Sequence, residues 1–175
     1  MKGFYGRNHL SNANITGIGF TMSDAPATIL LCMEDNDMME ITSVVLMPDP
    51  PKKGENLTVA INGYLKEPLE ESAYLVAKVK KGGIKFPQFH VSICDYLSGG
   101  CPVAKGLQKL SMTFDIPSLI PGGGYEIDTE IFQPLSEENV VKNSHLLTKF
   151  TKFTKDFSMK DEDKRVLCLQ GSIEF

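Results

Sequence analysis

The chain has 175 residues and a mass of 19.3 kDa, about the length of one domain, and on folding it would bury roughly 70% of the surface its unfolded form exposes, enough for a sizeable core. Its 18 Lys and Arg against 22 Asp and Glu leave a net charge of −4, which argues against a general basic field and against nucleic acid as a partner. Hydrophobic residues at 42% and charged ones at 23% are typical of a globular protein, and the longest apolar run, Ala27 to Met33, is far short of the ~20 residues of a membrane-spanning helix.

The first twenty or so residues are rich in Gly and Asn, with little periodic hydrophobicity, and residues 1–26 are expected to form a mobile leader. Ile41 to Met47 is an apolar, β-branched run stopped by Pro48-Asp49-Pro50-Pro51-Lys52-Lys53-Gly54, the pattern of a strand followed by a turn. Leu57, Val59 and Ile61 alternate with polar or small residues, and Gly63 follows where a bulge or close backbone approach is expected. Leu75, Ala77 and Val79 repeat the period, and Lys81-Gly82-Gly83 turns the chain into Ile84, Phe86, Phe89, Val91 and Ile93. Leu110, Met112, Phe114 and Ile116 alternate again. Gly122-Gly123-Gly124 leads into Tyr125, Ile127, Thr129 and Ile131, and Val166 to Phe175 forms the last such stretch. Seven or more short strands with Pro and Gly punctuation, and no helix between them, predict an all-β fold: an antiparallel two-sheet sandwich over residues 27–175.

The segment 134–165 breaks this rhythm. Leu146, Phe150, Phe153 and Phe157 recur at helical spacing among Lys142, Lys149, Lys152 and Lys155. The pattern admits a helix packed on the sandwich, an amphipathic contact with a membrane surface, or an extended or disordered insertion.

Motifs of catalysis are missing: the sequence has no G-x-S-x-G, H-E-x-x-H, Walker A or dinucleotide glycine pattern, so neither an enzyme nor a cofactor is expected. His9, His90 and His145 are scattered, and His90 is expected to face solvent. Asp35 and Asp37 near Glu40 lack the spaced ligands of a calcium loop and read as a solvated acidic loop. The triple glycine reads as a turn rather than a phosphate cradle. Cys32, Cys94, Cys101 and Cys168 fit two disulfides, a zinc site or four buried thiols, although the closest pair, with six residues between its members, lacks zinc-finger spacing. Asn14-Ile15-Thr16 and Asn56-Leu57-Thr58 both fit the glycosylation pattern and, with the cysteines, favour an oxidising secretory compartment. Met1 to Phe20 has no continuous apolar stretch for a signal peptide, so Met1 is read as opening a mature chain.

A surplus of bulky apolar residues lies in the middle of the chain: Phe86, Phe89, Phe114, Leu119, Ile120 and Tyr125, several beside prolines in Phe86-Pro87, Ile116-Pro117 and Ile120-Pro121. Proline interrupts sheet pairing, so these dipeptides belong at strand ends or edges. They either fill the sandwich core or line the mouth of an apolar cavity between the sheets, and composition alone favours the core.

The order of motifs adds to this reading. Cys32, Ile41-Thr42-Ser43-Val44, the proline-rich turn through Val59, Gly63-Tyr64-Leu65, Ala73-Tyr74, Gly83-Ile84-Lys85, Cys94-Asp95, Cys101-Pro102, Ile120-Pro121-Gly122 and Cys168-Leu169 together resemble the ML lipid-recognition domain family. The likeness is greatest to its fungal phosphatidylglycerol/phosphatidylinositol transfer proteins, relatives of the lysosomal sterol carrier lost in one type of Niemann-Pick C disease. It runs from Cys32 to the C-terminus, apart from the inserted segment. The resemblance implies an immunoglobulin-like sandwich with an internal lipid cavity and the disulfides Cys32–Cys168 and Cys94–Cys101. It implies a lipid-binding set of Phe86, Phe89, Phe114, Leu119, Ile120, Tyr125, Ile127, Val59, Ile61 and Leu75, with Leu119 and Ile120 facing Phe86 across the mouth. Its functional implication is a monomeric carrier of phospholipid or sterol that touches membranes transiently, in a vacuolar or lysosomal lumen or outside the cell. A lipid-presenting interaction module is the second reading. Glycans are expected at Asn14 and Asn56.

Overall fold

A computed structural model describes residues 26–135 and 163–175. It contains nine strands: β1 (Thr28–Leu31), β2 (Met39–Met47), β3 (Asn56–Leu65), β4 (Tyr74–Lys81), β5 (Ile84–Lys85), β6 (Phe89–Ser92), β7 (Gly106–Asp115), β8 (Gly124–Gln133) and β9 (Lys164–Glu174). Every pairing is antiparallel. One sheet runs β1-β9-β8-β4-β5, with β6 also on β4, and the other runs β2-β3-β7. The two-sheet sandwich expected from the alternating pattern is the observed fold. The expected leader lies almost wholly outside the described residues, and so do the helical pattern of the insertion, its lysines and phenylalanines, His9, His145 and Asn14.

The local signals act as their chemistry requires. Gly82 and Gly83 take φ of 53° and 82°, the left-handed pair a two-residue hairpin demands, and join β4 to β5. Gly63 is a close-approach glycine: a Cβ there would collide with the carbonyl oxygen of Glu40, beside the register shift between Ile41 and Ser43 on the facing strand. β1, within the apolar run Ala27 to Met33, is an addition to the strands read from the sequence. At four residues it is too short to show a period of its own. β9 opens at Lys164, so Lys164 and Arg165 belong to the sheet and not to the insertion.

The strands give the sandwich two ends. One gathers Met39, Leu65, Tyr74, Gln133 and Lys164, and here Met39, Leu65, Leu69, Ile93 and Val166 are 0–1% exposed. Both disulfides lie toward this end. Cys32–Cys168 ties the chain after β1 to β9, and Cys94–Cys101 closes the loop after β6, which bridges to the other sheet through Leu97 and Met112. Of the acidic residues expected to be solvated, Asp35 and Glu40 are exposed, but Asp37 is not. Asp37 is 1% exposed and accepts from Arg165 Nε at 2.8 Å, from Arg165 Nη2 at 3.0 Å and from the Glu34 amide at 2.7 Å. Arg165 stands 128 residues away in sequence, so no local pattern could reveal that this carboxylate is buried as an ion pair. The bond to Asp37 raises the Arg165 guanidinium above its ordinary value, with burial acting in the opposite direction.

Candidate functional site

Toward the other end the sheets enclose a cavity of about 220 Å³. Alternation along each strand puts one face of each sheet against it. Leu57, Val59 and Ile61 come from β3, Met112 and Phe114 from β7, Leu75 and Ala77 from β4, Ile127, Thr129 and Ile131 from β8, and Leu167, Leu169 and Ile173 from β9. Among the described residues, Thr129 is the one polar side chain in the lining. Val59, Ala77, Phe114, Ile116 and Ile127 point inward but remain partly accessible. The wall adjoins the core of the first end and has no buried side-chain polar atom lacking a partner among the described residues.

Five of the residues expected to bind lipid line this cavity: Val59, Ile61, Leu75, Phe114 and Ile127. The other five, Phe86, Phe89, Leu119, Ile120 and Tyr125, are not part of its lining. Tyr125 is buried at the start of β8 on the inward-facing side. It stacks edge-on with Phe175 at 5.7 Å, lies 6.5 Å from the ring of Phe86, and donates its hydroxyl to the Pro121 carbonyl at 2.8 Å. The two expected lips therefore meet around Tyr125, with the Phe86 segment on one side and the 117–121 segment on the other. Phe86, Phe89 and Leu119 are 42%, 54% and 93% exposed, values of rim residues and not of core, while Ile120 is half-buried. Ile29, Leu46, Leu57 and Ile173 also line the cavity and were not among the expected residues. Leu57 and Ile173 already stand in the period-two pattern of β3 and β9, whereas Ile29 belongs to the strand that shows no pattern.

Two further features bear on chemistry. A polar hollow of about 520 Å³ at the first end is lined by Glu34, Asp37, Lys66, Glu67, Glu130, Lys164 and Arg165, among others. Its charges satisfy one another: Lys66 pairs with Glu40, Lys164 with Glu67, and Arg165 with Asp37, Glu34 and Glu130. Beside it Tyr74 donates to Asp163 at 2.6 Å, and burial, reinforced by that bond and by the Asp163 charge, pushes its phenol above the ordinary range. His90 is exposed and packs on Tyr74 at 4.5 Å. Among the described residues no cluster of His, Cys, Asp or Glu has the geometry to hold a metal ion.

Residues 28–141 match the ML domain family. The chain belongs to that family. A phosphatidylglycerol/phosphatidylinositol transfer protein of Kluyveromyces lactis is 34% identical over 111 residues, covering 59% of this chain and 63% of that protein. One from Cryptococcus neoformans is 33% identical over 127 residues, covering 66% of this chain and 71% of that protein. The chain thus spans less than two thirds of the length of the K. lactis relative. A Niemann-Pick type C2 protein from the Japanese carpenter ant shares the fold, with a TM-score of 0.54 at 14% identity, over 84% of this chain and 98% of that one.

Proposed function

We propose that this ML domain is a lipid carrier that holds a phospholipid or sterol with its hydrocarbon in the cavity between the sheets. The observation that carries the reading is the apolar, partly accessible lining toward one end of an otherwise well-packed sandwich. Hydrocarbon moved from water onto such a wall gains roughly 25 cal/mol for each Å² removed from solvent, so a single buried acyl chain supplies ample affinity without a fixed polar clamp. At about 220 Å³ the cavity is smaller than the roughly 300–1,000 Å³ of ordinary small-molecule pockets. A two-chain lipid therefore enters only as the rim and the two sheets move apart, which favours exchange over permanent capture. The names of the fungal relatives support phospholipid as the first ligand class, with sterol second.

Release and loading require contact with a membrane. The rim supplies it: Ile84, Phe86, Phe89 and Leu119 are exposed apolar side chains at or near the same end, of the kind that enter a bilayer interface. The carrier works as a monomer, needs no cofactor and performs no catalysis. Its two disulfides suit an oxidising compartment, so the chain follows the secretory route to a vacuolar or lysosomal lumen or out of the cell, with Asn56, exposed at the start of β3, as a glycan acceptor. Native mass spectrometry of the purified protein tests the reading directly. It should detect a co-purified lipid, or uptake of one from vesicles. A protein that carries no lipid and takes up none sinks the proposal.

A further inference from the structure

Among the described residues Lys66, Lys78, Lys80, Lys164 and Arg165 form ion pairs. Lys105 and Lys109, before and on β7, and Lys52, Lys53, Lys81 and Lys85, at the cavity end, have no carboxylate within ion-pair distance among the described residues. Two of them converge on one loop. Lys81 Nζ donates to the Gly122 carbonyl at 2.6 Å and lies 5.1 Å from the centre of the Tyr125 ring. Lys53 reaches the same loop from the β2–β3 turn, its Nζ 3.6 Å from where a Cβ on Gly122 would stand. Glu174 Oε2 lies 3.4 Å from the equivalent point on Gly124 and pairs with neither lysine, and the Phe175 oxygen beside Gly122 accepts from the Gly123 amide at 2.7 Å.

The geometry points to an anion subsite formed by Lys53 and Lys81 at the cavity mouth, which takes the phosphodiester of a phospholipid whose chains lie in the cavity. Three features carry this. Two ammonium groups, one bonded to the Gly122 carbonyl and the other beside Gly122, bring like charge to one residue, and an anion between them offsets it. Lys81 is held in place, since its stem runs past Gly123 and its charge rests on the face of Tyr125, the residue that also joins the two lips of the mouth. Lysine binds phosphate as a point charge without demanding a fixed headgroup orientation, which suits a ligand that must leave. Gly122 and Gly123 keep the approach open: a side chain at Gly122 would press on the Phe175 carbonyl, and Gly123 sits at φ 116°.

This subsite rests on the lipid-carrier reading, and one experiment separates their failures. The full chain is loaded with an uncharged pyrenyl-alkane, which is then displaced by dioctanoylglycerol or by dioctanoyl phosphatidylglycerol. These ligands have the same chains and differ in the phosphoglycerol headgroup, whose only charge is the phosphate. The wild type should bind the phosphatidylglycerol roughly five- to tenfold more tightly, the range expected of two exposed charge contacts, and the preference should shrink as salt rises. Lys53→Met with Lys81→Met should abolish the preference and leave dioctanoylglycerol binding unchanged, and the two Lys→Arg changes should keep it. Equal binding of both lipids by the wild type overturns the subsite and leaves the carrier standing, whereas binding of neither overturns both. A variant that loses both ligands equally shows that the lysines support the mouth and do not read phosphate, which also overturns the subsite. Glycerophosphoglycerol, the headgroup without chains, should displace the probe only at millimolar concentration. Displacement at micromolar levels would make this a site for free phosphate esters and overturn its assignment to lipid.

Discussion

The two ends of the sandwich are built from the same strands and the same alternating pattern, yet one is solid and the other hollow. On β3, Leu65 is fully buried in the solid end while Val59, on the same face, remains half-accessible at the cavity. Arg165, Asp37 and both disulfides lie toward the solid end, as does Pro134, where the chain leaves for the insertion. Nearly the whole of β8 separates that point from Tyr125, about 30 Å. Stability is concentrated where it does not restrict the ligand, and the weaker end is the one able to open.

The comparison is broken most severely through the long disulfide. Cys32–Cys168 closes 136 residues, and replacing both cysteines by Ser should cost about 5 kcal/mol of unfolding free energy, against about 2.4 kcal/mol for the seven-residue closure Cys94–Cys101. Denaturant titration measures both, and equal losses would show that loop length does not govern this scaffold.

Two alanines sharpen the contrast. Ala73 is 1% exposed in the packed core, whereas Ala77 lines the cavity. Ala73→Phe should lose about 1–3 kcal/mol or more to overpacking, while Ala77→Phe, filling an existing void, should stay within about 1 kcal/mol of wild type and block lipid uptake. Similar losses at the two positions would mean that the cavity end is as tightly packed as the other.

At the rim, Phe86→Ala should cost about 1 kcal/mol, well below the ~3–5 kcal/mol of a buried Phe, because the side chain is 42% exposed. Lipid transfer between vesicles should slow clearly. Unfolding is followed by tyrosine fluorescence, since the chain has no Trp. A full core penalty with normal transfer would return Phe86 to ordinary packing.

The smallest expected effect is at the solid end and depends on pH. The Tyr74 phenol is raised in the folded state, so its contribution is fully present below its unfolded value of about 10. It is lost as pH rises through the folded value, because the unfolded chain releases its proton first. Stability measured from pH 9 to 11 should therefore fall more steeply for the wild type than for Tyr74→Phe, and parallel slopes would show that the Asp163 contact does not govern the titration.

The strands, their turns and the sandwich class were legible because alternation and glycine or proline punctuation are properties of a single stretch of chain. Leu57, Val59, Ile61, Leu75 and Ile127 could be assigned to an inward face on that basis alone. A void depends on two surfaces and the distance between them, so only the tertiary structure decided that these side chains meet space while Leu65 and Ile93 meet neighbours. For the same reason the sequence pattern could not bury Asp37, whose partner is 128 residues away, or bring Lys53 and Lys81 to Gly122 from separate stretches of chain. Composition determined the apolar surplus beside the prolines, but only the fold, by ending strands there, left Phe86 and Leu119 at the surface.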